Sequence, residues 1–158
     1  MDPFSIVAGI AGICCAGAQL SRSLYEISNR LINAPKEIAD IALDLAQLGV
    51  IFEHLRTALE SNRELVKDEL LATVKETLSR FEALQGDVKH FITSAKRFER
   101  LRWLFKRERV AALMVKVSAV RSNLNMLVSI VQVAITINIG NKKYATLSTK
   151  AICDTDGI

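Results

Sequence analysis
The chain has 158 residues, half of them hydrophobic and 24% charged, with only two prolines and seven glycines. That length suits one domain with a substantial core, and the composition excludes a disordered chain and disfavours many short strands. The net charge of +4 is local: residues 96–109, KRFERLRWLFKRER, carry seven cations and two anions, and the remainder is nearly neutral.

The first segment, MDPFSIVAGIAGICCAGAQLSRSLYE, has no charged side chain between Asp2 and Arg22. It lacks the positive leader of a secretory signal. Its fifteen-residue run at 4–18 makes roughly 22 Å of helix, short of the ~20 apolar residues of a membrane span. Asp2 followed by Pro3 reads as a helix N-cap with proline at the first helical position. The apolar positions Ile6, Ile10, Ile13, Gly17, Leu20, Leu24, Ile27 and Leu31 follow at four- and three-residue steps, one stripe on one helix. A second face is small: Ala8, Gly9, Ala11, Gly12, Cys15 and Ala16, with Ala8, Gly12 and Ala16 spaced to let another helix approach closely. Two readings follow. Either this is the central helix of a bundle, apolar all round because it is surrounded, or it is buried at rest and released to a membrane or a neighbour. In the second reading Ile6, Ile10 and Ile13 meet lipid, and Gly12→Leu blocks assembly at some cost in packing.

The Asn33-Ala34-Pro35 step ends this helix. A second begins at Pro35, with Glu37 near its positive end and the stripe Ile38, Ile41, Leu45, Leu48, Phe52, Leu55 and Leu59. A third is expected from about Arg63, with Val74, Leu78, Phe81, Leu84, Val88, Phe91, Ala95 and Phe98 on its inner face. Gly86 interrupts it at a cost of about 1 kcal/mol and admits a kink. The last is expected from near Lys106, with Val110, Leu113, Val117, Val120, Leu124, Leu127, Val131 and Ala134. The expectation is all-α: an antiparallel four-helix bundle over residues 1–138, with room for an extra short helix at 86–105. The VQVAITINIG run from Val131 alternates as a strand does. Residues 139–158 therefore read as a tail or linker, either a frayed helix end or a strand-prone, amyloid-prone segment.

Three cysteines without regular spacing argue for reduced thiols inside a cell, with Cys14 and Cys15 as small buried hydrophobes. His54 and His90 have no carboxylate or cysteine at a ligand spacing, and no glycine-rich phosphate loop follows a strand. No enzymatic activity, cofactor or metal is expected. The basic stretch, with Lys96, Arg97, Arg100, Arg102, Trp103, Lys106, Arg107 and Arg109, has three readings. It is a helix junction plugged by aromatics, an anionic-lipid patch with Trp at the interface, or a phosphate-binding surface. Nucleic acid is the reading set aside.

The segments MDPFSIVAGIAGICCAGAQLSRSLYEI, NAPKEIADIALDLAQLGVIFEHL and RLRWLFKRERVAALMVKVSAVRSNLNMLV, in that order over roughly residues 1–135, resemble the fungal N-terminal HeLo-like domain. That domain stands at the front of fungal NACHT, ankyrin and other STAND receptors and of a pigment-cluster protein. The telling pieces are the DPFSIVAGIAG start, the PKEI entry to the second helix and the tryptophan junction at residues 102–106. The resemblance implies a signalling or cell-death effector domain that oligomerises on activation and engages the plasma membrane through its N-terminal helix. The four-helix domain of the mixed-lineage kinase-like necroptosis effector is a more distant case. Implied partners are further copies of the chain, anionic lipids, and an upstream receptor or C-terminal domains of a larger chain. The implied location is cytoplasmic, then plasma membrane on activation. The alternative is a non-toxic interaction or autoinhibitory module.

Overall fold
The computed structural model describes residues 3–30, 36–62, 66–97 and 103–153. These form four α-helices: α1 (Pro3–Arg30), α2 (Lys36–Ser61), α3 (Asp68–Arg97) and α4 (Trp103–Cys153). No strand occurs among the described residues. The expected cap at Asp2, the break at residues 33–35 and the helix start at Arg63 lie outside them.

The helices form where apolar side chains recur at helical spacing, and their inner stripes build one core. All seven stripe positions of α2 are buried, as are Val110 to Val131 of the α4 stripe and Val74 to Phe91 of the α3 stripe. α1 and α4 each pack against both α2 and α3. The Phe52 and Phe81 rings meet at the centre, centroids 4.8 Å apart and tilted by 30°, a geometry that adds about 0.5–1.5 kcal/mol to their burial. α3 begins at Asp68, five residues beyond Arg63. Asp68 and Glu69 supply negative charge at its first turn, and the Lys67 carbonyl accepts the amides of Leu70 (3.0 Å) and Leu71 (3.2 Å). The helix runs through Gly86 to Arg97 without interruption.

The C-terminal segment differs from its strand-prone or disordered reading. α4 crosses position 138 unbroken and continues to Cys153. Once a helix is nucleated, each added residue closes a hydrogen bond, so a β-branched run costs only a few tenths of a kcal/mol per residue. The hydroxyls in this region bond back to their own helix: Ser129 to the Asn125 carbonyl (3.0 Å), Thr136 to Gln132 (2.8 Å) and Thr146 to Lys142 (2.8 Å). In helical geometry Val131, Ala134 and Ile135 face the bundle, while Val133 faces out and Ile137 lies at the rim. Ile130, Ala134, Ile137 and Asn138 border the start of α3 at Lys67, Glu69 and Leu70. Beyond that level residues 141–146 are exposed on every side. Residues 141–146, about 9 Å of helix, stand clear of the bundle.

Candidate functional site: the outer face of the first helix
α1 has two surfaces with opposite roles. Its inward stripe is fixed by Ile6, Val7, Ile10, Ile13 and Leu24, all buried, with Ile10 fully so. Two bonds tie it to α2. The Ser21 hydroxyl donates to the Ala42 carbonyl at 2.6 Å, and the Cys14 thiol donates to the Gly49 carbonyl at 3.4 Å. A third bond ties it to α3, where the buried Gln85 carboxamide donates to the Ile13 carbonyl at 2.9 Å.

The outward surface is the small one. Ala8, Gly9, Ala11, Gly12 and Cys15 are exposed and Ala16 is half-buried. Phe4 stands at its start with 64% of its surface open to solvent. The reading of α1 as a helix surrounded on all sides is therefore corrected: small residues cover a water-facing surface that carries no charge from Phe4 to Gln19. The burial expected of Cys15 is corrected with it. Cys14, turned toward α2, is half-buried. A Cβ at Gly12 would meet nothing within 4 Å, whereas one at Gly17 would meet the Gln85 amide nitrogen at 3.1 Å and the Phe81 ring at 3.6 Å. The close helix approach within the folded chain is at Gly17.

Beside this face lies an open groove of about 800 Å³ between α1 and α2, floored by Ala18, Ala42, Leu45 and Ala46. Arg22 and Asp40 border it near one end and Glu53 near the other. Glu53 is clamped by Arg56, whose Nε donates to both carboxylate oxygens at 3.0 Å. That ion pair holds the Glu53 carboxyl below the usual carboxylate range. Arg56 also reaches Glu60 at 3.0 Å.

The basic stretch is only partly within the described structure. Arg100 and Arg102 lie outside it; Lys96 and Arg97 end α3, and Trp103 and Lys106 begin α4. Arg107 and Arg109 are exposed. Arg109 borders a small cleft with Asp87, His90 and Phe91, further along α3 than the Gln85–Ile13 contact. Arg109 therefore sits beside the C-terminal half of α3. No residue of the small α1 face lines that cleft.

By length and composition two helical stretches suffice to cross a membrane, residues 4–30 of α1 and 107–146 of α4. The sequence reading held the first, by its fifteen-residue run, short of a span, and missed the second. Its signal was present as twenty successive residues without charge, 122–141, obscured by scattered asparagines. Among the described residues no group of three or more His, Cys, Asp or Glu side chains is placed to hold a metal ion. Compared with family models, with curated proteins and with solved structures, the chain matches none.

Proposed function
We propose that the chain is an antiparallel four-helix effector domain of a fungal immune-type or programmed-cell-death system, acting by self-association and membrane engagement through α1. The antiparallel arrangement is supported by register, since position 14 of α1 faces 49 of α2 while 21 faces 42. The observation that carries the function is the charge-free, small-residue outer face of α1, exposed while Ile6, Ile10 and Ile13 are held inside. Small residues at four-residue spacing admit a second helix closely. The three isoleucines are the reserve. Exposing them to water costs roughly 1.5–3 kcal/mol each, comparable in sum to the stability of a small domain. Release to water is therefore unfavourable, and release to lipid, where they stay out of water, recovers most of that term.

In this account the cations of residues 96–109 attract the anionic cytoplasmic leaflet, each nearby charge worth about 1 kcal/mol. The domain resides in the cytoplasm at rest and reaches the plasma membrane on activation, driven by an upstream receptor or further domains of a larger chain. A second reading, a non-toxic interaction module, is favoured by the α1–α2 groove, whose apolar floor and charged ends suit an amphipathic helix. Binding to anionic vesicles separates the two. The effector reading expects salt-sensitive binding that weakens when Arg100, Arg102, Lys106 and Arg107 are changed to Gln, with little change in the melt. Equal binding to neutral and anionic vesicles contradicts it.

A further inference from the structure
The face of α4 turned away from the core is apolar over a length that the bundle does not use. Val115, Met126, Ile130, Val133, Ile137 and Tyr144 are all exposed, from 45% at Ile130 to 76% at Tyr144. Val115, Ala119, Ser122, Met126, Ser129, Val133, Ile137, Gly140 and Tyr144 succeed one another at steps of four and three. They form a single seam down the helix, opposite Leu113, Val117, Leu124 and Val131 of the core. At 1.5 Å per residue the seam is about 44 Å long.

We propose that this seam is a self-association surface, covered by the same seam of a second copy of the chain. Three observations select that occupant. The first is charge. Between Val115 and Asn141 α4 has two charged residues, Lys116 and Arg121. Each is drawn off the seam, Lys116 to Asp87 of α3 at 2.6 Å and Arg121 to Asp44 and Gln47 of α2. Two identical seams therefore meet without like-charge repulsion from α4 along that length, and the charges that border Ile130 and Ile137 from the start of α3, Lys67 and Glu69, are of opposite sign. The second is width. Asn125 and Gln132 flank the seam on one side, and Asn123 and Asn141 on the other. At the rim of a helix pair these carboxamides remain hydrated, whereas immersion of the helix in lipid would strip water from all four. The third is area. The six large side chains expose on the order of 600 Å² together, the upper end of what a monomer ordinarily leaves open and near the ~800 Å² per partner of a standard interface. This surface is separate from the outer face of α1, and it stands whether or not α1 engages a membrane.

Sedimentation equilibrium of the full 158-residue chain tests it. The expected result is a reversible dimer whose dissociation constant rises by about 100-fold or more in V133E/I137E, with the helical melt little changed because both side chains are more than half exposed. Val115→Glu, on the part of α4 that lies along the bundle, weakens the same dimer and guards against local unfolding of the projecting end. Gly12→Leu leaves it intact. A wild-type chain that stays monomeric at roughly 100 µM overturns the proposal. So does a dimer indifferent to both seam variants, or a monomer that binds anionic vesicles through Val133 and Ile137, which makes lipid the cover.

Discussion

Gly12 and Gly17 lie five residues apart on α1, and a side chain added at each meets opposite surroundings. At Gly17 it runs into the Gln85 carboxamide and the Phe81 ring; at Gly12 it enters open solvent. Both belong to the same charge-free opening run. One is occupied by the fold, with α3 pressed against it and Gln85 bonded to the Ile13 carbonyl beside it. The other is vacant at rest. The inner face of α1 is thus committed to stability and the outer one is available for function, so changes on the two faces should affect different measurements.

The largest effects are expected where the core beneath the inner face is emptied. Leu45 and Leu124 are both fully buried mid-stripe, and truncating either to Ala should cost about 2–5 kcal/mol by chemical denaturation. Losses within about 0.5 kcal/mol at both, the size of surface changes, would break the assignment of inner faces.

Next comes the glycine pair itself. Gly17→Leu must displace a pinned amide and a buried ring, and should destabilise by about 1–3 kcal/mol through overpacking. Gly12→Leu, for which the sequence suggests a packing penalty, should instead be neutral or stabilising by up to about 1 kcal/mol, since leucine is the better helix former and nothing stands in its way. Equal melting shifts for the two variants would erase the distinction.

The smallest effect is at the outer rim of the α1–α2 groove. The exposed Glu53 carboxyl is held below its ordinary range by its hydrogen bonds to Arg56. A carboxyl lowered in the folded state adds stability above its unfolded value, and the contribution disappears as pH falls through the folded value. The melting temperature of the wild type should therefore exceed that of Glu53→Gln slightly at pH 7. The two should converge below about pH 4, where free carboxylates protonate. A difference that persists or grows in acid would exclude the ion pair as its source.

Much of this architecture is legible in the residues. α2 and the bundle-facing part of α4 follow because bulky side chains at three- and four-residue steps allow only one helical face inward. The ambiguous places are those where two patterns coincide. α1 offers a large stripe and a small one, both uncharged, and spacing alone does not say whether the small one is covered. Gly17 carried a usable signal, being a glycine among isoleucines and leucines on the stripe itself, where a missing side chain marks a close neighbour. The VQVAITINIG run satisfies strand alternation and also places Val131, Ala134 and Ile135 on one helical face, so the neighbouring helix decides. Gln85 is polar on an inner face, and its partner is a backbone carbonyl 72 residues away, beyond the reach of any local pattern.

The account turns on the outer face of α1, and Gly12→Leu isolates it because the substitution leaves the core untouched. The direct measurement is dye release from anionic vesicles by wild-type and Gly12→Leu protein, each shown by circular dichroism to be helical and cooperatively melting. The account predicts release by the wild type and loss of it in the variant, whose leucine keeps a second α1 helix at a distance. Full release by folded Gly12→Leu protein would contradict assembly through the small face of α1.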